Sequence, residues 1–364
     1  MTEPILIKKT MTNFNRLLII LQLFILTNSI FCNAQKNENQ GTSLDESFKI
    51  AFGSCAHQYK DQPMLLNAVK LNPDLFIYLG DNIYGDTRDM NLLKNKYEKL
   101  ASKVEFQELK KRTKILSVWD DHDFGENDKG RHYPFKKESK EIFMNFWEVP
   151  QNSERRNHEG IYGSEYVKLG DKTLQIIMLD TRTFRDNLLK NEPKNSVYKN
   201  DYIPYSKKDS TILGDKQWKW LENELSKKAN IRIIASSLQF GHEYNGYESW
   251  TNMPHEQTKF VDLIDKTKAN GVVFISGDVH WGEISKMNTK NTYPLYDVTS
   301  SGITQTWTST ESNKNRIGGV IIQNNIGLIE IFYKNKVPLI KLNLFDKNGI
   351  VSNHNFFLSE ISFN

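Results

Sequence analysis

Short apolar runs that end in polar, titratable residues recur along this chain. One of them, residues 75–79 (LFIYL), follows a Pro-Asp turn and stops at Gly80, directly before Asp81. Five apolar residues bounded by turn residues are typical of a buried strand. We therefore predict a strand whose carboxyl end presents Asp81 and Tyr84 to a cleft, the place where α/β proteins commonly keep their chemistry.

The same pattern predicts further strands, separated by helices. The apolar runs lie at residues 48–52, 113–119, 161–166, 174–179, 231–235 and 271–276. Apolar residues at helical spacing between them, as at 62–71 and 90–111, indicate strand–helix–strand units. Residues 185–210 are polar and predict a surface insertion. From residue 293 onward the pattern becomes one of hairpins, which predicts that a second sheet is completed there.

The residues that follow these strands are of types that bind metals. They are Cys55, Asp81, Tyr84, Asp120, Asp121, His122, Gln239, His242, Asp278 and His280. Titratable residues in series at 120–123 would repel one another unless cations neutralised them. Phenolate and carboxylate oxygens suit hard, highly charged cations such as ferric iron. The sequence thus predicts a metal site. Arg182, which also follows a strand, could contact a substrate phosphate or pair with a structural carboxylate.

Composition narrows the function classes. The 364 residues are 38% hydrophobic, enough for one large domain or two ordinary ones. The 48 basic and 44 acidic residues are spread along the chain and give a net charge of +4. Because no polybasic block occurs, we expect no specific binding of nucleic acid. We also expect a monomer.

The first 34 residues differ from the rest. Basic residues precede the apolar run at 17–26, and small residues follow it at 32–34, a pattern typical of a secretory signal peptide. An uncleaved anchor is the alternative. Polar residues 35–47 predict a flexible leader before a domain at 48–364. We therefore expect an exported protein, periplasmic or extracellular, with no transmembrane span after cleavage and with Cys55 as its single cysteine.

Seven short motifs together resemble one family. They are FGSC (52–55), LGDNIYG (79–85), WDDHD (119–123), LDTR (179–182), GYESW (246–250), SGDVH (276–280) and TSSG (299–302). Their order is similar to that of the PhoD-type alkaline phosphatase D family within the calcineurin-like metallophosphoesterases. The resemblance implies an α/β fold, a four-layer αββα sandwich, with a metal site between two sheets.

The resemblance also implies the metals and their ligands. Family members use iron together with calcium in a binuclear or larger site. The iron ligands carried over by motif are Cys55, Asp81, Tyr84 and His280. The second metal would share Asp81 and take Asp278, either Asp120 or Asp121, and a group near Gln239. His122 stands where the wider superfamily places the histidine that meets the phosphate, so that His122 and Asp81 are the catalytic candidates. His242 and Arg182 are further candidates for binding metal or substrate.

The implied reaction is hydrolysis of a phosphate monoester, small molecule or polymer, by attack of a metal-bound hydroxide. A phosphodiesterase acting on phospholipid, nucleotide or wall-polymer diesters is the alternative. The rival from another class is a secreted binding protein whose metals are purely structural. A structural metal site is closed by protein ligands, whereas a catalytic site keeps a position for water. Two positions depart from common metallophosphoesterases: Cys55 replaces their initial Asp-x-His motif, and Asp121 replaces the Asn before the histidine.

Overall fold

The computed structural model describes residues 46–194 and 197–363, so the predicted signal peptide lies outside the described residues. Within these ranges the chain forms fifteen strands. They are β1 Phe48–Gly53, β2 Leu75–Leu79, β3 Lys114–Val118, β4 Gly163–Leu169, β5 Lys172–Met178, β6 Leu189–Lys190, β7 Tyr202–Ile203, β8 Ile231–Ala235, β9 Val272–Ser276, β10 Gly282–Met287, β11 Leu295–Ser300, β12 Arg316–Ile321, β13 Ile326–Phe332, β14 Leu339–Asp346 and β15 Gly349–Phe357.

Helices connect most of the parallel strands. They are α1 Pro63–Lys70, α2 Met90–Ala101, α3 Val104–Arg112, α4 Asp121–Phe124, α5 Lys136–Phe146, α6 Glu154–Asn157, α7 Gly214–Leu225 and α8 Pro254–Thr267, with 3-10 turns at Trp250–Asn252 and Leu358–Ile361. Individual residues explain where two of these helices begin. Pro63 starts α1, and the Asp89 carboxylate caps α2 by accepting from two backbone N–H groups. None of the described helices combines the length and hydropathy needed to span a membrane.

Two large sheets carry the fold. The six-stranded sheet has the order β15-β14-β13-β1-β2-β3, and the seven-stranded sheet has the order β12-β10-β11-β9-β8-β5-β4. Strands β1, β2 and β3 run parallel, as do β11, β9, β8 and β5. Strands β2, β8 and β9 are buried at every position, which is why they read as continuous apolar runs.

The sheets lie face to face with helices outside them. Strands β1 and β13 of one sheet contact β11 of the other. On the outer faces, the Phe106 ring of α3 lies 6.2 Å from that of Tyr78 in β2, and the Phe260 ring of α8 lies 5.1 Å from that of Phe274 in β9. This arrangement confirms the predicted four-layer αββα sandwich.

Some predicted elements differ in detail. The run at 90–111, which has helical spacing throughout, forms two helices, α2 and α3. The predicted surface insertion at 185–210 contains a two-stranded hairpin, β6 and β7, and its residues Asp201 and Tyr202 reach the cleft described below. The spacing of apolar residues and the turn residues report only on local structure, so they did not reveal that this polar segment lies beside the site.

Candidate metal centre

The carboxyl ends of β1, β2, β3 and β9 bring the predicted metal ligands together. One ligand atom each from Cys55, Asp81 and His280 lies within 4.8 Å of the others. Asp81 also belongs to a second group with the same spacing, which contains Asp81, Asp120, Asp121 and Asp278. A further group of the same spacing joins Asp81 and Asp121 to His122. Asp81 therefore stands where the first two groups meet, one with the Cys55 sulfur and the His280 nitrogen and one with oxygen donors alone.

Four of these residues hold backbone conformations that are rare for residues other than glycine. The φ angles are 62° at Cys55, 49° at Asp81, 72° at Asp278 and 62° at His280. Left-handed conformations of this kind are unfavourable by about 1–3 kcal/mol each and concentrate at functional sites. All four residues lie in the loops directly after strand ends. The chain thus turns sharply after β1, β2 and β9 to aim these side chains at one point.

Gly80 allows the turn after β2 to lie close to the end of β3. Its φ is 98°, and a Cβ there would lie 2.5 Å from the Cβ of Asp120 and 2.7 Å from its backbone nitrogen. Only glycine accepts both the conformation and the contact. The glycine before Asp81 therefore brings the ends of β2 and β3 close enough to share one site.

The first group, together with Tyr84 beside it, provides sulfur, phenol and imidazole. The Cys55 Sγ lies 3.4 Å from Asp81 Oδ2 and 3.1 Å from Ser301 Oγ, which also accepts from the His280 backbone N–H. The Tyr84 hydroxyl lies 3.2 Å from His280 Nε2. Burial raises the pKa of the Cys55 thiol and of the Tyr84 phenol well above their ordinary values. Burial also lowers the pKa of His280 to about 4, so its ring is neutral, the form that binds metals.

The second group concentrates carboxylates away from water. Burial raises the pKa of Asp81 and of Asp278 well above the usual value and raises that of Asp120 to about 7. Among the described residues, Asp81 Oδ1 and Asp120 Oδ2 are buried and have no hydrogen-bond partner. Buried carboxylate oxygens are normally paired. This donor set and its unpaired oxygens fit bound cations, which would satisfy them and cancel the repulsion.

Asp123 holds the backbone of the acidic cluster through hydrogen bonds. Its Oδ1 accepts from the backbone N–H groups of Asp120 at 2.7 Å and of Asp81 at 3.1 Å, and its Oδ2 accepts from the Tyr97 hydroxyl at 3.3 Å. Burial raises its pKa to about 8. One carboxyl group thus fixes the backbone of two ligand candidates on different strands.

His122 borders the cleft beside the cluster. Its Nδ1 lies 2.8 Å from both carboxylate oxygens of Asp86, and its ring centroid lies 4.3 Å from that of Tyr84. Burial opposes the charged ring, but the charges of Asp121, Asp81 and Asp86 raise its pKa from 6.5 to about 11. In the metal-free protein His122 is therefore protonated.

Asp120 and Asp121 occupy different positions. Asp120 Oδ1 accepts from Arg182 Nε at 2.5 Å and from the Ser237 hydroxyl at 2.6 Å. Asp121 lines the cleft, and its Oδ2 accepts from the Asp128 backbone N–H at 2.6 Å. Both belong to the oxygen-donor group, with Asp121 on the open side and Asp120 on the buried side.

A cleft of about 180 Å³ opens on this cluster. Its lining residues are Asp81, Asp121, His122, Asn127, Asp128, Asp201, Tyr202, Tyr247, Glu248, Asp278, Val279, His280 and Trp307. The cluster is therefore reachable from solvent on one side, as a catalytic metal site requires.

A model of the PhoD-like phosphatases matches residues 50–337, most of the chain. The chain belongs to the PhoD-like phosphatase family. The resemblance drawn from the seven motifs is thereby confirmed, and so is the metallophosphoesterase type of fold.

Alkaline phosphatase D of Bacillus subtilis (strain 168) is 24% identical over 270 residues, which cover 64% of this chain and 45% of that protein. The chain thus spans less than half the length of this curated relative. The solved structure of PhoD superposes with a TM-score of 0.66 at 17% identity, covering 85% of this chain and 68% of that one. A dimetal phosphatase from Danio rerio gives 0.53 at 13% identity, covering 88% and 100%. These similarities show the fold.

Three further candidates lie outside the cleft of this PhoD-like chain. Arg182 is fully buried, and besides Asp120 it approaches Glu248 Oε2 to 2.5 Å, so it takes the carboxylate-pairing alternative. Gln239 Nε2 donates to Glu283 at 2.9 Å. His242 is buried, with Nδ1 accepting from the Tyr244 N–H at 3.1 Å. The strand-end pattern marked all three, but strand ends also hold residues that only support loops.

Several residues at the site were not singled out from the sequence. Asp128 and Glu248 form another group with Asp121, with ligand atoms within 4.8 Å of one another. Asp86 pairs with His122, and Trp307 lines the cleft. Glu248 lies inside the GYESW motif and Asp128 in the polar loop after β3, which are the only signals that could have indicated them. Asp86 and Trp307 lie in loops whose pattern predicts nothing specific.

Proposed function

We propose that this protein is a metal-dependent phosphoesterase that hydrolyses phosphate monoesters. The observation that carries the proposal is the position of Asp81. Its buried carboxylate belongs both to the group with Cys55 and His280 and to the group with Asp121 and Asp278, and its Oδ1 has no hydrogen-bond partner among the described residues. A carboxylate in that position suits the bridge between two cations.

The donor types support iron on one side and calcium on the other. Cys55, Tyr84 and His280 offer sulfur, phenol oxygen and nitrogen, a combination suited to a transition metal. The other side offers carboxylate oxygens, which suit calcium. Asp278 and Asp121 are its ligands facing the cleft, with Asp120 behind them. Asp128 and Glu248 would extend the site if it holds more than two cations.

Bound cations would activate water near neutral pH and neutralise phosphoryl oxygens. The remaining steps belong to residues of this chain. Asp86 holds His122 through Nδ1 at 2.8 Å, which leaves Nε2 to meet the substrate beside Asp81 and Asp121. His122 then donates a hydrogen bond to a phosphoryl oxygen or a proton to the leaving oxygen. Asp123 keeps Asp81 and Asp120 in place by holding their backbones.

The size of the cleft supports monoesters over diesters. Its volume of about 180 Å³ lies below the ~300–1,000 Å³ of ordinary ligand pockets. A phosphoryl group with one substituent leading outward suits this space better than a phosphate with chains on both sides. The diesterase alternative predicts the opposite preference, so the substrates themselves separate the two.

The test compares hydrolysis of 4-nitrophenyl phosphate with that of bis(4-nitrophenyl) phosphate by the purified protein. We expect faster turnover of the monoester, loss of activity after chelation, and recovery when iron and calcium are supplied. A faster diester reaction would move the assignment to the diesterase. Absence of turnover on both, with metals bound, would favour a binding protein with structural metals.

We further propose that residues 1–34 are a signal peptide, that 35–47 are a leader, and that residues 48–364 are an exported monomeric domain, periplasmic or extracellular. The basic, apolar and small-residue order of the first segment supports this. Cell fractionation, the amino-terminal sequence of the mature protein and light scattering test it. A mature protein that retains residue 1 in the cytoplasm would contradict export.

A further inference from the structure

Two aromatic side chains form one wall of the cleft. The rings of Tyr247 and Trp307 lie with centroids 4.8 Å apart and planes at 62°, and both are partly exposed. The Trp307 ring also lies 5.3 Å from the ring of His280, a proposed iron ligand. Ligand pockets are commonly lined by aromatic side chains of this kind, placed beside a few polar groups. The wall thus begins directly beside the place where the phosphoryl group would lie.

Contacts on both sides hold the Trp307 loop in place. The Trp307 backbone N–H donates to the His280 carbonyl at 3.3 Å, and Lys60 Nζ donates to the Gln305 side chain. Further along the loop, Glu311 pairs with Lys199 at 2.7 Å. The aromatic wall is therefore formed before any ligand arrives, which lowers the entropy that binding must overcome.

The charges along the cleft restrict what can lie against this wall. The lining carboxylates are Asp81, Asp121, Asp128, Asp201, Glu248 and Asp278. None of the residues that the structure describes along the cleft is lysine or arginine. Cations at the proposed site and His122 would attract the phosphoryl group, whereas an anionic substituent further out would meet Asp201, whose carboxylate has only exposed Lys194 near it, at 3.9 Å, among the ion pairs of the described residues. An uncharged substituent is therefore favoured.

We propose that Trp307 and Tyr247 bind the leaving alcohol and select phosphate esters whose uncharged alcohol carries a flat ring, such as aryl or nucleoside esters. The inference rests on the proposed function and deepens it. The small cleft holds the phosphoryl group, and the ring of the alcohol lies outward against the wall. Trp307 and Tyr247 are then specificity-determining residues and take no part in the chemical step.

The test compares 2-phenylethyl phosphate with ethyl phosphate, which share an alkyl leaving oxygen and differ by one ring. In Trp307→Ala, we expect the ratio of kcat/KM for the phenylethyl ester to that for the ethyl ester to fall about tenfold, mainly through KM. Trp307→Phe should keep most of the ratio because it retains a ring. The matched control is Trp220→Ala, a partly exposed tryptophan 4.8 Å from Tyr162 and outside the cleft, which should leave the ratio unchanged.

Two results would overturn the inference while leaving the phosphoesterase intact. One is a Trp307→Ala protein with normal metal content that hydrolyses both esters as fast as the wild type does. The other is an equal loss on both esters, which would mean that Trp307 acts only by supporting His280.

A binding measurement decides the inference even if the wild-type protein hydrolyses neither ester, a result that would count against the proposed function alone. Calorimetry of the metal-loaded protein compares phenylphosphonate with methylphosphonate, neither of which has an ester bond to cleave. Tighter binding of phenylphosphonate that is lost in Trp307→Ala supports the aromatic wall. Equal affinities for the two phosphonates in the wild type contradict it.

Discussion

The His122 ring and the Asp86 carboxylate are paired through Nδ1, 2.8 Å from each carboxylate oxygen, although the residues lie 36 positions apart. The pair fixes the ring beside Tyr84 and keeps it protonated in the metal-free protein. The account of His122 as hydrogen-bond donor to the substrate depends on this contact.

Replacement of Asp86 by Asn should therefore lower kcat while leaving the metals in place. Asn removes the charge but keeps an oxygen, so we expect kcat to fall about 10- to 100-fold, part of the ~10²–10⁴ that acid catalysis contributes. Because Asp86 raises the His122 pKa, its loss lowers that pKa and should move the alkaline limb of the pH–rate profile to lower pH. The profile and metal content are measured beside Asp171→Asn, an exposed carboxylate at the β4–β5 turn. An unchanged alkaline limb would contradict the assignment.

Replacement of Cys55 by Ser should remove iron selectively. Serine is similar in size, but its hydroxyl is a poorer ligand than a thiolate for a transition metal. We expect iron content and turnover to fall by more than the ~10- to 100-fold typical of changes beyond the direct ligands, with calcium largely retained. Elemental analysis of both metals is the measurement. A Cys55→Ser protein that retains stoichiometric iron would remove Cys55 from the ligand set.

The metal-free protein should lose stability as the pH rises. Burial raises the pKa of Asp120 to about 7 and of Asp123 to about 8, above the ~4 of an unfolded aspartate. Between about pH 4 and pH 8 the folded state therefore binds more protons than the unfolded state. The contribution of these two carboxyl groups to stability is complete below about pH 4 and is lost as the pH rises to about 8. His280, with a pKa of about 4, opposes this loss up to about pH 6.5, the value of an unfolded histidine, so we expect Tm to fall by several degrees between about pH 6.5 and pH 8.5. Added metal should flatten the curve, and a metal-free curve that rises over this range would show that the carboxyls are not protonated.

Replacement of Gly80 by Ala should damage both stability and the site. The added methyl group meets Asp120 at 2.5 Å in a backbone conformation with φ of 98°. We expect a loss of about 1–3 kcal/mol in the free energy of unfolding, with weaker metal binding because Asp120 must shift. Urea unfolding and metal titration are compared with Gly319→Ala, where the nearest atom is 3.5 Å away. Equal, small effects at both positions would contradict the role given to Gly80.

The sequence predicted the ligand cluster because parallel strands present their carboxyl ends at one edge. Asp81, Asp120 and Asp121 follow β2 and β3 of one sheet in this way, whereas Asp278 follows β9 of the other sheet and is brought to them by the face-to-face packing of the two sheets. The second sheet followed from the pattern, and the four-layer arrangement followed from the resemblance.

The support for these ligands was not predictable in the same way. Asp86 and Trp307 lie in loops, where neither period nor burial marks a residue, and their contacts join distant parts of the chain. Gln239 and His242 show the converse limit of the strand-end signal. Their strand ends carry the same signal, but the side chains bind Glu283 and Tyr244 within the fold. Strand ends identify where chemistry can occur, and only the tertiary contacts separate ligands from loop supports.

The central claim is that Asp81 joins two metal positions in one catalytic site. Elemental analysis of wild-type protein and of Asp81→Asn, with hydrolysis of 4-nitrophenyl phosphate measured on the same samples, tests it most directly. We predict at least two metal ions per wild-type chain, and in Asp81→Asn the loss of metal from both positions together with turnover. An Asp81→Asn protein that is fully metallated and active would contradict the account.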